Sequence, residues 1–113
     1  MDKSIGIQIP FMDDESKNAM KSAIESLLFA SGEPLSLSDL SNHLEEKSKN
    51  VEAVLQEMIE EYENTTSRGI KIISIKGKYQ LVTKGENADY LQKLLKKNKR
   101  QSLSQASIES LAI

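Results

Sequence analysis

Few side chains in this 113-residue sequence have the types and spacing that catalysis or metal binding requires. His43 is the only histidine, with Glu45 and Glu46 close behind it, but a metal site needs further converging ligands and a nucleophile needs a paired base. The simpler interpretation of His43 is a side chain on a helix surface. The chain has no cysteine, and its glycines are isolated rather than grouped in a phosphate-binding loop. The sequence therefore predicts a protein that is not an enzyme and has no catalytic, cofactor-binding or metal-binding residues.

The charged residues divide into an acidic segment and a basic one. Between Asn50 and Asn64 there are five glutamates and no lysine or arginine, whereas residues 70–85 contain four lysines and no acid. Glutamates along one helix can bind a hard cation, but more often they form a solvated face. The net charge of −2 gives no overall attraction to nucleic acid.

Hydrophobic residues make up 38% of the sequence and charged residues 28%, which is typical of a soluble domain. No apolar run approaches the roughly 20 residues of a membrane-spanning helix, and the first residues lack the apolar core of a secretion signal. We therefore expect a cytoplasmic protein without membrane contact.

A first helix is predicted to begin after Ser16, a residue type that caps helices, and to carry an inward apolar stripe as far as Leu28. Its end is apolar on most sides, because Leu27, Leu28, Phe29 and Ala30 are consecutive and successive side chains are about 100° apart. Either two faces of this helix are buried within the fold, or one face meets another subunit.

The segment LLFASGEPLSLSDL predicts a corner between two helices. Gly32 can adopt the left-handed conformation that ends a helix, and Pro34 disfavours helical backbone in the residue before it. Ser36 and Asp39 have the spacing of a capping box, so we expect a second helix from about residue 37 to residue 44.

Three further elements are predicted after this corner. Apolar residues from Val51 to Tyr62 recur at i, i+3, i+4, i+7, i+8 and i+11, which predicts a third helix. Runs of β-branched and alternating residues on either side of Gly77 predict a β-hairpin, and a fourth helix is expected to begin near Asn87. Three helices, a hairpin wing and a C-terminal helix make a mostly helical α+β fold, the winged helix-turn-helix.

The third helix of such a fold often enters the major groove of DNA, but here it is the acidic segment, whose carboxylates would face phosphates. The wing offers only a weak, unspecific contact to DNA through Lys76 and Lys78. Lysines near a sheet edge also discourage edge-to-edge aggregation, which is the simpler interpretation. A nucleic-acid-binding module that uses this basic wing is the alternative function.

The sequence divides into an N-terminal arm (1–16), a winged-helix domain (17–97), and a basic linker with the start of a truncated second winged-helix domain (98–113). In the arm, isoleucines around Ile7 alternate with polar or small residues, which is typical of an extended segment that pairs with a sheet edge or lies on a partner. A frayed or vector-derived leader is the alternative interpretation of the arm. A last helix capped by Ser104 still has apolar periodicity at Ile113, so we expect further chain after it.

Three of these segments, in this order and spacing, resemble the N-terminal half of the segregation and condensation protein B (ScpB) family. They are AIESLLFASGEPLSLSDL in the first two helices, GKYQLVTK in the wing and LSQASIESLAI at the end, so the resemblance covers about residues 17–113. It implies a non-catalytic scaffold subunit with two winged-helix domains, which dimerises and binds the kleisin subunit ScpA in the bacterial SMC condensin complex at the nucleoid. Such a complex supports chromosome condensation and segregation. The resemblance ties the N-terminal domain mainly to homodimerisation and the C-terminal domain mainly to kleisin binding.

Contact with a second copy is expected at apolar side chains of the first helix, the wing and the arm, and above all at Phe29, the large apolar residue outside the core stripe. Phe29 is the leading candidate, together with Leu27 beside it, and Tyr79 in the wing and Ile7 in the arm are the other two. No cofactor and no small-molecule substrate are expected. DNA contact is expected to be at most indirect or unspecific.

Overall fold

The computed structural model describes residues 12–97 of the chain, with side chains as far as residue 96. Its elements are α1 (Asp14–Ser31), β1 (Leu35–Ser36), α2 (Leu37–Leu44), α3 (Ser48–Asn64), β2 (Ile70–Ile75), β3 (Lys78–Thr83), a 3-10 turn (Gly85–Asn87) and α4 (Ala88–Lys97). Three helices, a hairpin wing and a C-terminal helix confirm the predicted fold. The predictions for Ile7, for residues 1–11 of the arm and for the segment 98–113 lie outside the described residues, whereas residues 14–16 of the predicted arm belong to α1.

The start of α1 differs from the prediction by a few residues. The cap is Asp13 rather than Ser16, and Asp13 Oδ1 accepts a hydrogen bond of 2.8 Å from the backbone N–H of Ser16. The hydrogen bonds from Ser16 hold the pKa of the Asp13 carboxyl below its usual value. Both residues have the chemistry of a cap, and the chain uses the earlier one, so Ser16 belongs to the first turn.

The corner after α1 forms as predicted, with one addition. Gly32 has φ 71° and ends the helix in the left-handed conformation. The residues that follow are not a free turn, because β1 pairs antiparallel with β3, with Leu35 opposite Tyr79 and Ser36 opposite Lys78. This short strand was not predicted, and it completes a sheet of order β1-β3-β2.

The start of α2 confirms the predicted capping box and the predicted helix bounds. The backbone N–H of Asp39 donates to Ser36 Oγ at 3.0 Å, and the backbone N–H of Ser36 donates to Asp39 Oδ2 at 3.1 Å. Two amide groups at the helix start are thereby satisfied by the reciprocal pair.

The wing is a two-residue hairpin. Ile75 of β2 lies opposite Lys78 of β3, and Lys76 and Gly77 between them have φ 51° and φ 80°. A turn with both central residues in the left-handed region matches the twist of the two strands, and Gly77 adopts this conformation without steric cost. The predicted turn around Gly77 is confirmed.

The core lies where α1, α2 and α3 meet one face of the sheet. Ile24, Leu40, Val51, Val54 and Leu55 have no exposed surface. The other buried members of this cluster come from α1, α3 and the wing: Met20, Leu28, Met58, Tyr62, Ile72, Tyr79 and Leu81. The predicted apolar faces of the first and third helices therefore both point inward.

The route from the wing to α4 passes through the 3-10 turn. Asn87, the predicted start of the fourth helix, lies in this turn, and its backbone N–H donates to the carbonyl oxygen of Lys84 at 3.1 Å. The helix follows at the next residue, Ala88.

Removing the cap of α2 should weaken the fold measurably. Ser36→Ala is expected to lower the free energy of unfolding by about 1 kcal/mol, because the N–H of Asp39 loses its acceptor. Ser38→Ala, an exposed change in the same helix, is the matched control and should change it by less than about 0.5 kcal/mol. Urea unfolding followed by circular dichroism measures both, and equal losses in the two variants would contradict this role of Ser36.

Candidate protein-interaction surface

Two lysines of α1 hold this helix against the acidic α3. Lys17 Nζ lies 3.3 Å from Glu57 Oε2, and Lys21 Nζ lies 3.0 Å from Glu57 Oε1 and 2.6 Å from Glu61 Oε2. Partial burial would raise the pKa of Glu57, but hydrogen bonds and attraction from Lys21 and Lys17 outweigh it and hold that pKa below its usual value. Two glutamates of α3, Glu57 and Glu61, therefore form ion pairs within the domain.

The same side of α1 continues to an exposed aromatic ring. Tyr62 of α3 donates a hydrogen bond to Glu25, and burial together with this carboxylate raises the pKa of Tyr62 far above its usual value. Lys17, Lys21 and Glu25 follow one another at four-residue spacing, and Phe29 is the next residue in that row. Phe29 is 72% exposed, so the last residue of this row is not covered by α3.

The end of α1 has two inward and two outward residues. Leu28 is 1% exposed and belongs to the core, and Leu27 is half-buried against that core. Phe29 and Ala30 are exposed. Of the two contact residues predicted on α1, Phe29 therefore has much the larger free surface, and the contact itself stays a prediction.

Tyr79 is placed differently from the expectation for a contact residue. Its side chain is 7% exposed, because it lies in the core cluster and its strand is paired on both sides, with Leu35 in β1 and Ser74 in β2 as neighbours. Burial and the nearby negative charge of Glu52 raise the pKa of its hydroxyl. Tyr79 is a core residue that offers little surface to a partner, and its role as a contact residue stays a prediction.

A second apolar surface, which the sequence did not single out, lies on α4. Tyr90 is 71% exposed and Leu94 is 41% exposed, whereas Leu91 and Leu95 are half-buried. Residues at i, i+1, i+4 and i+5 lie on one side of a helix. The helical spacing of these four residues was visible in the sequence, but the extent of their exposure was not. We call them the α4 stripe.

The lysines of the wing do not form one basic patch. Lys76 and Lys78 are exposed at its tip, as a weak contact to nucleic acid would require, and that contact stays a prediction. Lys71 Nζ lies 4.0 Å from Glu63 Oε2 of α3. Lys84 is buried, and its Nζ donates to the carbonyl oxygen of Thr65 at 3.0 Å, where the positive charge suits the C-terminal end of α3.

The described residues contain no cluster suited to metal chemistry. His43 lies on the exposed side of α2, with Nδ1 2.9 Å from the carbonyl oxygen of Asp39, as expected for a histidine on a helix surface. Within residues 12–97, no three His, Cys, Asp or Glu side chains are placed to share a metal ion. No helix in this range is long and apolar enough to cross a membrane.

The fold and these surfaces define a winged-helix domain with an acidic third helix and exposed apolar side chains on α1 and α4. A family model described as "Segregation and condensation complex subunit ScpB" matches residues 22–113. The chain therefore belongs to the ScpB family, which confirms the resemblance drawn from the sequence.

Relatives with this name cover most of the chain. Segregation and condensation protein B of Clostridium perfringens (strain SM101 / Type A) is 59% identical over 106 residues, which are 94% of this chain and 54% of that protein. The protein of the same name from Clostridium acetobutylicum is 54% identical over 103 residues, which are 90% of this chain and 50% of that protein. The chain spans about half the length of the curated relatives it matches.

Two solved structures are similar to the fold. One is a dimer of an ScpB N-terminal domain complexed with an ScpA peptide, with a TM-score of 0.65 and 37% identity, covering 68% of this chain and 95% of that chain. The other is ScpB from Mycobacterium tuberculosis, with a TM-score of 0.70 and 26% identity, covering 83% of this chain and 56% of that chain.

Adjacent residues at the end of α1 should respond very differently to truncation. Phe29→Ala is expected to change the free energy of unfolding by less than about 0.5 kcal/mol, because the ring is exposed. Leu28→Ala should lower it by about 2–5 kcal/mol, because it leaves a cavity in the core. Denaturant unfolding at low protein concentration measures both, and a large loss for Phe29→Ala would contradict its exposed placement.

Proposed function

We propose that this chain supplies the self-associating winged-helix domain of a non-catalytic scaffold subunit in a bacterial SMC–kleisin complex, which acts in chromosome condensation and segregation. The observation that carries the proposal is the match to an ScpB N-terminal domain that was solved as a dimer with an ScpA peptide. The match covers 95% of that N-terminal domain chain. The proposed partners are a second copy of the chain, the kleisin ScpA and, in the full assembly, SMC. The proposed location is the cytoplasm, at the nucleoid, where the chromosome lies.

The physical character of the domain supports a scaffold. Its third helix places Glu52, Glu60 and Glu63 on the exposed side, where DNA phosphates would be repelled. Its large exposed apolar side chains include Phe29 on α1 and Tyr90 on α4, and such residues are enriched at protein interfaces. Protein contact therefore accounts for the surface better than groove reading does.

Self-association is the first outcome to measure. At micromolar concentration the 113-residue chain is expected to have about twice its monomer mass by light scattering, because apolar side chains that water now touches would become buried. Although the family resemblance ties kleisin binding mainly to the C-terminal domain, a similar N-terminal domain was solved with an ScpA peptide, so a peptide derived from ScpA should bind this dimer in a calorimetric titration. A monomer mass throughout would contradict the self-association, and a dimer without heat of binding would contradict the kleisin contact.

The alternative function is nucleic-acid binding through the wing, favoured by the exposure of Lys76 and Lys78 and by the absence of acids from residues 70–85. If the scaffold is the function and the two lysines make only an unspecific contact, a gel shift with duplex DNA should appear only at low salt and should be lost near about 0.15 M, whatever the sequence. The double variant Lys76→Gln, Lys78→Gln should remove the low-salt shift. A complex that persists at high salt in the wild type and weakens in this variant would favour the alternative over the scaffold.

A further inference from the structure

The α4 stripe is the most continuous apolar surface among the described residues. Tyr90 and Leu94, one helical turn apart, are two of the four large apolar side chains that are exposed. The other two, Phe29 and Ile75, stand singly on α1 and β2. Contiguous exposed apolar residues of this kind mark interaction sites more reliably than single ones.

The body of the domain gives α4 little support. No residue of α4 belongs to the core cluster or to the apolar residues packed against it, and its main neighbour is the 3-10 turn that precedes it. The described part of α4 has ten residues, and a helical segment of this length is marginal in water without packing partners. A partner that covered the stripe would therefore also stabilise the helix that carries it.

The charges along α4 favour a second copy in antiparallel orientation. Asp89 lies in the first turn, and Lys93 and Lys96 lie nearer the end. In an antiparallel pair the acidic end of each helix lies beside the basic end of the other, and the helix dipoles are also opposed. These charges stand on the side away from the stripe, so they influence orientation more than strength.

The rival surface on α1 is less suited to a symmetric contact. Phe29 is preceded at i−4 by Glu25, its neighbour on the helix surface, and Glu33 follows just after the helix ends. A two-fold contact centred on Phe29 would bring the carboxylates of both copies towards each other, which is unfavourable. Tyr90 also has a glutamate at i−4, Glu86, but Glu86 lies in the 3-10 turn before α4, and no acidic residue lies within the stripe itself.

We infer that two copies of the chain pair through α4, antiparallel and two-fold symmetric, with Tyr90 and Leu94 of each copy buried against the stripe of the other. The inference rests on the proposed self-association and assigns the surface that performs it. The solved dimer of a similar N-terminal domain supports a second copy as the occupant.

The test replaces Tyr90 and Leu94 together by glutamine in the 113-residue chain, which keeps good helix propensity at Leu94 and removes the apolar surface. The dimer dissociation constant, measured by sedimentation equilibrium, is expected to rise at least about 100-fold, because each copy loses two buried side chains. Gln92→Ser on the exposed side of α4 and Phe29→Ser on α1 are the controls, and each should change the constant by less than about threefold. Circular dichroism checks folding, and Leu94→Ala alone replaces the double variant if that variant unfolds.

Orientation is tested by charge reversal at low salt. Asp89→Lys is expected to weaken the dimer by no more than about threefold, because the charge faces away from the stripe and acts only at longer range, and adding Lys96→Asp should restore the affinity, because the acidic end of each helix is again opposed to the basic end of the other. An unchanged affinity for Asp89→Lys would overturn the antiparallel arrangement.

The outcomes separate this inference from the proposed function. A monomeric wild type overturns both, whereas a dimer that persists in the Tyr90 and Leu94 variant overturns only the assignment to α4. Loss of the dimer in Phe29→Ser with an intact dimer in the α4 variant would move the contact to α1. A dimeric α4 variant that has lost binding of the ScpA peptide would make the stripe a kleisin site instead, and would also overturn the inference.

Discussion

The five residues from Gly32 to Ser36 impose the constraint on which the domain depends. Gly32 ends α1 in a left-handed conformation, the next residues become extended and pair with β3, and Ser36 then caps α2. A single short segment thus fixes the direction of two helices and ties both to the wing. Because every backbone group in such a corner must find a partner or water, the strand pairing and the cap leave little freedom in the angle between the helices.

The placement of charge follows from this arrangement. Where α1 and α3 lie side by side, Lys17 and Lys21 form ion pairs with Glu57 and Glu61. Lys84 donates a hydrogen bond to the carbonyl oxygen of Thr65 at the C-terminal end of α3. The remaining acids face solvent. The third helix, α3, is the element that reads DNA in DNA-binding winged-helix proteins. Here one side of α3 packs against α1, and its outer side carries glutamates that would repel DNA phosphates. The large exposed apolar residues of the helices lie on α1 and α4.

Local chemistry was the most predictable part of the fold. The bounds of α2, its capping box and the turn at Gly77 depend on residues a few positions apart, and all three follow from the sequence. The strand β1 could not be predicted, because two residues carry no alternation and pair only with a hairpin far along the chain. Tyr79 lies on the same face of β3 as Leu81, and both belong to the core cluster, so the alternation of the strand was the signal for its burial. Apolar spacing likewise marked the residues of α4, but it could not show that the domain leaves the stripe partly uncovered.

The pairing of Leu35 with Tyr79 also bears on the order in which the chain folds. The helices and the hairpin each depend mainly on contacts between near neighbours, whereas this pair closes a long loop that contains α2, α3 and β2. Closing such a loop costs chain entropy before any contact repays it. We therefore expect β1 to settle only after the wing exists, so that the angle between the first two helices becomes final late in folding.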